Sequence, residues 1–538
     1  MFVSLLRKAS ICLICTAISG AAQSDVQAGI ELVRQGKFPD ALKTLRQALK
    51  QNPKSAEAHN YLGFVLGRGG DLSGAISEFE TALNLDPKYA EAFYNLGCAL
   101  RLNGQTNEAI GKLRQALHLR PDFFEAELEL GITLARSGDP IGAVPVLRKA
   151  IQDRPNAVSA RNELGLVYEQ VGDSENALRQ FRQAVQIDQR SPESLNNLGV
   201  VLHKTGDLDG AIDSFRKATA ARPDFGEAWK NLAQGLRDKG DLAGAIEAYR
   251  KLIELEPKSA AAHADLGSAL RRGDRTDEAL EELQLAVKLD SSLARAHFQL
   301  AETLAQTGKM DQAAVEYGAA SQLSPRNAEY KLQYGVALAK LDSPKAVQVL
   351  REAVDLNPTP SALTALGAAQ RRSGDASGAA ETFGRSREIS ALNERRSRAI
   401  LETNRAIAFL QKGQVAPASE ALQSALAADP EMAEANHYLG IAMAAQSNYA
   451  ESNKAFEKAL SKNPQNPEIH YNFGIALQRQ KRWAEAAEQF EAGLKLAPTS
   501  LKSRCALISV FERIGNKDRA AQEVAEAAHF GSCSADRR

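Results

Sequence analysis

A small residue returns every 34 residues along much of this chain, and that recurrence limits its fold more than any other feature. Gly29, Gly63, Gly97, Gly131, Gly165, Gly199, Ala233, Gly267, Ala301 and Gly335 keep the interval, and after a disturbance come Gly367, Ala406, Gly440, Gly474 and Ile508. A second small residue follows each of them, from Ala41, Ala75 and Ala109 through Ser452 to Ala486 and Ala520. One unit reads cleanly over residues 191–223, SPESLNNLGVVLHKTGDLDGAIDSFRKATAARP. Leu195, Leu198, Gly199 and Leu202 fall at i, i+3, i+4 and i+7, one face of a first helix. Gly206 and Asp207 make a turn, Ala211, Phe215 and Ala218 mark a second amphipathic helix, and Pro223 closes the unit. Units of this length are single hairpins that cannot bury their apolar faces alone, so they stack on their neighbours. The small residues let the paired helices approach, because protein interiors hold no spare volume.

The pattern L-x2-L-G-x2-L, then A-x3-F-x2-A, then P, resembles the tetratricopeptide repeat over about residues 22–528. The resemblance implies an all-α fold: a right-handed superhelical solenoid of about fifteen helix-turn-helix repeats that binds protein or peptide segments. Here the recurrent Gly or Ala is position 8 of each repeat, and the two helices are A and B. A proline such as Pro53, Pro87, Pro121 or Pro498 ends most units, since it cannot continue helix B. Gly70, Gly138, Gly172, Gly206 and Gly240 are expected to end helix A in the left-handed conformation. Asp71, Asp139, Asp173, Asp207 and Asp241 are then placed to cap helix B. Arg272-Gly273-Asp274 spells an adhesion tripeptide, but ordinary turn chemistry accounts for it.

The period breaks between Gly335 and Ala406. Repeat 10 has lost its turn glycine (Leu341-Asp342-Ser343-Pro344), and repeat 11 lacks its closing proline. These marks suggest a signal peptide at 1–22, a first array of eleven repeats at 22–391 and a charged junction at 392–398. A second array of four repeats follows at 399–528, then a disordered tail at 529–538. A hinge at the junction and a tolerated insertion in one continuous array are both open at this level.

Arg7 and Lys8, the apolar run Ala9 to Ile18 and the small residues Ser19 to Ala22 give the N-terminus its signal-peptide character. The protein is therefore expected to be exported, either periplasmic or secreted, with a membrane reached only through partners. Cys98, Cys505 and Cys533 remain after cleavage, too few and too scattered for a disulfide framework. The 66 Lys and Arg balance the 66 Asp and Glu, which argues against nucleic acid as a partner. No G-x-S-x-G, P-loop or H-E-x-x-H motif occurs, so no enzyme activity and no cofactor are expected.

Helix periodicity sets positions 4, 7, 8 and 11 of helix A inward and positions 2, 6, 9 and 13 on the opposite side. By the family resemblance that side lines a concave groove. Position 2 is mostly acidic and position 13 mostly basic, an arrangement the helix dipole explains without a ligand. Lys204 lies in the basic row and Arg101 beside it at position 12, while Arg237, Arg271 and Arg272 form a cluster beyond what the dipole needs. Position 6 carries Asn95, Asn197, Asn231, Asn404 and Asn472, and amides in register can hold an extended backbone. The row is similar to the asparagine ladder in the repeats of the O-GlcNAc transferase family, a resemblance confined to these five residues. His59, His263, His297 and His470 stand at position 4, where the family has Trp, and are expected to be packing residues; no metal site is expected. The functional expectation is an exported scaffold binding extended protein segments in its groove. Alternatives are an assembly or polysaccharide-export component of a cell-envelope machine, and a regulatory subunit of a separate envelope enzyme.

Overall fold

A computed structural model describes residues 21–533, so most of the segment read as a signal peptide lies outside the described residues, as do positions 534–538. The described residues form 29 helices and no strand. Contacts divide the chain into two compact units, one running to Val201 and taking in Ala528–Gly531, the other made of Leu202–Ala527 with Ser532 onward. Within each unit, successive helices pack as antiparallel hairpins, each hairpin against the next. Helix A runs, for example, from Ala56 to Arg68 and helix B from Leu72 to Leu85 in repeat 2.

The turn between A and B follows one backbone rule. Position 15 has positive φ in every repeat: glycine supplies it eleven times, and Asp274, Asp342, Ser447 and Lys481 take it at 58°, 51°, 60° and 61°. In Arg272-Gly273-Asp274 it is therefore the aspartate that turns left-handed, and in repeat 10 Asp342 stands in for the lost glycine. A lysine in this region bears a steric cost that glycine avoids. Lys481→Gly should thus stabilise repeat 14 by about 0.5–1 kcal/mol after the extra chain entropy is counted, readable as a raised denaturation midpoint.

The expected caps are present. Asp71 accepts from the Gly74 amide at 2.8 Å, Asp139 from Gly142 at 2.8 Å, Asp173 from Asn176 at 3.1 Å, and Asp207 and Asp241 from Gly210 and Gly244 at 2.9 Å. Each satisfies an amide that the first turn of helix B leaves open.

The buried face of helix A is wider than periodicity indicated. Besides positions 7 and 8, the small residues at position 3 (Ala58, Ala92, Ala126, Ala160) and at position 10 (Val65, Ala99, Val167) are buried. Position 4 has a different task. The ring of His59 bridges Glu78 Oε2 at 2.5 Å and the Pro53 carbonyl at 3.1 Å. His263 and His297 repeat this geometry with Glu282 and Glu316. Trp229 donates to the Pro223 carbonyl at 2.9 Å, Arg161 to that of Pro155 at 2.8 Å and Arg504 to that of Pro498 at 3.1 Å. In these repeats position 4 carries a side chain whose ring or guanidinium nitrogen reaches the carbonyl six residues upstream, which ties helix A to the turn before it; Phe93, Glu127, Leu195 and Leu363 stand at the same position without that bond. The histidines are packing residues with that added duty.

Two features depart from the repeat rule. Residues 376–411 form one helix of 36 residues, running from helix B of repeat 11 into helix A of repeat 12. At 1.5 Å per residue it is about 54 Å long. The 392–398 segment lies inside it, and side chains 391–398 are exposed on all sides. At the C-terminus Cys505 and Cys533 form a disulfide with Cα atoms 5.5 Å apart, leaving Cys98 as the free cysteine among the described residues. The last helix returns alongside its partner, so a thiol just past its end meets one near the partner's start. Spacing alone does not disclose that pairing.

Candidate functional site

Positions 6, 9, 12 and 13 of successive helices A make a continuous surface within each unit. Its apolar element is clearest in the first unit, where position 9 presents Phe64, Cys98, Ile132, Leu166 and Val200. Leu166 and Val200 are 44% and 41% exposed, large side chains that the fold itself does not cover.

The amide row divides into two kinds. Asn95 is buried, and its Nδ2 donates to Asn60 Oδ1 at 2.9 Å, while Asn60 donates to the Tyr89 hydroxyl at 3.2 Å. Asn472 meets His437 Nε2 at 3.0 Å in the same way. Both pairs join position 5 of one repeat to position 6 of the next. Asn197 and Asn231 are half-buried, and Asn404 is exposed on the long helix. Gln299, also at position 6, has a buried Oε1 with no partner among the described residues.

Burial pushes the His437 imidazole down to about 4, so the neutral ring accepts from Asn472. The unfolded chain takes up this proton near pH 6.5 and the folded one not until about pH 4. Acid therefore favours unfolding: the contribution is intact above about pH 6.5 and falls away toward pH 4 by up to about 3 kcal/mol. His437→Asn, which recreates the Asn60–Asn95 pairing, should remove this component. Denaturant titrations at pH 7 and pH 4.5 would show it as a smaller acid loss than in the unaltered chain.

Of the charged candidates, Arg101 and Arg271 are engaged between repeats. Arg101 pairs with Glu129, both largely buried. Arg271 reaches Glu302 at 2.8 Å, and Arg237 meets Asp238 at 3.1 Å. Asp238 also lies 3.0 Å from His203. Asp265 is held by Arg295 at 2.7 Å; burial still raises its pKa, against the pull of Arg295 and Arg237. Glu163 is likewise raised by burial, opposed chiefly by Arg136. Lys204 and Arg272 are exposed. Arg237 and Arg271 thus meet different carboxylates, Asp238 and Glu302. The acidic row is engaged too: Glu91 pairs with Arg120 and Glu125 with Arg154, each at 2.8 Å, and Glu468 with Lys502 at 2.7 Å. At position 13, Arg372 donates to the Ala339 carbonyl at 2.9 Å and Gln170 to that of Ala135 at 3.2 Å, closing the end of the preceding helix A. These charges couple neighbouring repeats; the helix dipole alone does not account for them.

Profiles of the tetratricopeptide repeat match residues 26–90, 78–111, 156–224, 230–294, 294–327, 403–467, 439–501 and 471–532, well over half of the chain. Repeat 4 lies between matched stretches and forms the same helix pair. None of the curated proteins matches. Solved structures similar to parts of the chain include YrrB, titled a TPR protein with an unusual peptide-binding site, at 24% identity over 34% of this chain and 95% of that one, with a TM-score of 0.30. MamA is 26% identical over 33% of this chain and 98% of its own, with a TM-score of 0.29. PilF of Pseudomonas aeruginosa is 23% identical over 40% and 97%, with a TM-score of 0.36. With the same turn, caps and crossing residues repeated through the matched stretches, the chain belongs to the tetratricopeptide repeat family.

Proposed function

We propose that this protein is a non-catalytic interaction scaffold that holds extended segments of partner proteins along its helices A. The observation that carries the reading is the apolar row Phe64, Cys98, Ile132, Leu166 and Val200, half-buried in its first three members and exposed at Leu166 and Val200, set beside the amide row. Extended-segment recognition needs both parts: side chains to fill apolar sites and amides to hold the backbone. Asn197 and Asn404 are the ladder members best placed for that role, since Asn95 and Asn472 already join neighbouring repeats. Export is part of the proposal. It is supported by the signal-like N-terminal sequence and by the Cys505–Cys533 disulfide, a bond that persists in oxidising compartments.

A second reading, assembly with other subunits along helices B, has its own support. Leu85, Leu119, Ile187, Leu255, Leu289, Leu323 and Leu356 end helices B of repeats 2, 3, 5 and 7 to 10 and are between 37% and 43% exposed. The two readings separate by mutation. A displayed library of unstructured peptides, panned on the full chain, should yield binders. The joint change Leu166→Asp and Val200→Asp should weaken them at least tenfold (an order-of-magnitude figure from the apolar area involved) with helicity unchanged. Leu289→Asp should leave them untouched. The reverse pattern would transfer the function to helices B.

A further inference from the structure

We infer that two copies of this chain pair through the long helix, repeat 11 of each copy taking repeat 12 of the other as its neighbour. Neither the helix-A nor the helix-B reading above bears on this pairing. At an ordinary junction, helix B of one repeat lies antiparallel to helix A of the next. Phe79, Ala82 and Leu83 of repeat 2 share a core cluster with Ala92, Leu96 and Ala99 of repeat 3. Phe456 and Ala459 of repeat 13 do the same with Ile469, Phe473 and Ala476, and the two phenylalanine rings stack at 5.2 Å. Positions 21, 24 and 28 of one repeat thus cover positions 10, 7 and 3 of the next.

The long helix cancels this contact at one junction. Phe383, at position 24 of repeat 11, and Arg405, at position 7 of repeat 12, stand about 33 Å apart along a single axis. Position 24 is buried in every repeat but two: in the last, Val524 is 49% exposed, and in repeat 11 Phe383 is half-buried despite the Arg371 guanidinium 5.9 Å away. From repeat 2 onward position 10 is buried except at Ala408. Position 3, buried at Ala362 and Ala435 on either side, is Leu401 in repeat 12 and 66% exposed. Repeat 11 therefore ends as a last repeat does and repeat 12 begins as a first one does, though neither is terminal. The two open faces form one stripe, since Ala380, Arg387, Glu394, Leu401 and Ala408 recur every seven residues and all are exposed.

These faces select a second copy as the occupant. The end of repeat 11 lacks an antiparallel helix A, the start of repeat 12 lacks an antiparallel helix B, and the same straight helix carries both. Two such helices laid antiparallel about a two-fold axis at Glu394 cover both faces at once, a closed and reciprocal exchange. Ala380 then meets Ala408 of the other copy, Arg387 meets Leu401, and Phe383 meets Arg405. Arg405 suits that place: where other junctions set an apolar side chain against the position-24 ring, it brings a guanidinium, which is attracted to the face of an aromatic ring. The middle of the pairing, Ser390, Glu394 and Ser397, is polar and adds little, so the dimer is held at its two ends and dissociates on dilution.

The test uses the full chain, followed by sedimentation velocity over a concentration series. The unaltered chain should pass from monomer to dimer as concentration rises. Leu401→Arg sets like charges opposite each other at both ends of the pairing and should raise the dissociation constant about tenfold or more. Leu401 is exposed, so the variant folds, and circular dichroism verifies it. Adding Arg387→Glu to that variant should restore the dimer. Residues 387 and 401 lie about 21 Å apart along one helix, so such a rescue acts between copies and not within one. Val315→Arg, at an equally exposed site on repeat 9, should change nothing. Ala380→Cys together with Ala408→Cys, in a Cys98→Ser background, reads the arrangement itself: mild oxidation should give a covalent dimer with both substitutions and none with either alone. A chain that stays monomeric at every concentration would overturn the inference. A disulfide formed within one copy would also overturn it, since repeat 12 would then fold back on its own repeat 11 through a broken helix. A dimer indifferent to Leu401→Arg would put the contact elsewhere and refute the pairing.

Discussion

A valine at Gly474 is expected to unfold repeats 13 to 15 while the first repeats keep their protection. Any Cβ at this position would lie 2.5 Å from Phe490 Cε1 and 2.8 Å from two further ring carbons. The ring is fully buried, so it has nowhere to withdraw. Ala233, Ala301 and Ala406 show that one methyl is absorbed where the opposite helix is built around it, but valine adds two more carbons to a closed contact. Overpacking on this scale costs about 3 kcal/mol or more. Each repeat packs mainly on its neighbours, so the loss should stay local. Hydrogen exchange should rise across residues 433–527 and remain unchanged in repeats 1 to 5, with Gly474→Ala intermediate. Uniform loss of protection along the whole chain would refute neighbour-only coupling.

The repeat fold was legible because every unit states the same local rule. The small residue at position 8, the left-handed residue at position 15 and the aspartate cap each act within a few residues of themselves, so fifteen copies reinforce one reading. The long helix shows the same rule failing. Helix B of repeat 11 has no proline to stop it and is followed by Ala, Leu, Glu and Arg, good helix formers that carry it through into the next helix A. Missing stop signals can be seen in the sequence. That two helices then share one axis cannot, because it depends on how both ends are packed.

The site was less legible, for a reason particular to stacked hairpins. A surface side chain faces its own repeat and the next one, about 34 residues away. Asn95 looks like a ligand contact until Asn60 is placed beside it, and Arg271 until Glu302 is. A usable signal was present in the spacing of Asn60 to Asn95 and of His437 to Asn472, which pairs position 5 with position 6 of the following repeat. The basic row has no such constant offset, since Arg101 to Glu129 and Arg271 to Glu302 lie 28 and 31 residues apart, whereas Glu91 to Arg120 and Glu125 to Arg154 share a spacing of 29.

Glu394→Pro is expected to open the long helix at the place where nothing but its own backbone bonds supports it. We propose that residues 392–398 act as a rod between repeats 11 and 12. From 391 to 398 no side chain is buried, and Leu392, Ile400 and Leu401 are 45%, 50% and 66% exposed. An isolated helix of this length would be marginal, yet both ends are held in packed hairpins, so no nucleation cost opposes it. Proline at 394 would remove the bond to the Ser390 carbonyl and press its ring against that carbonyl, costing about 3 kcal/mol or more. The opened population should then rise about 100-fold, and cleavage by trypsin after Arg395, Arg396 and Arg398 should accelerate in proportion, since proteolysis follows the open fraction when reclosing is fast. The unaltered chain should resist cleavage there, and the variant should release two fragments whose hairpins stay folded. Equal cleavage rates for the two proteins would show that the helix is already open in solution and that this stretch is a hinge. A slow unaltered chain and a fast variant would identify a rod.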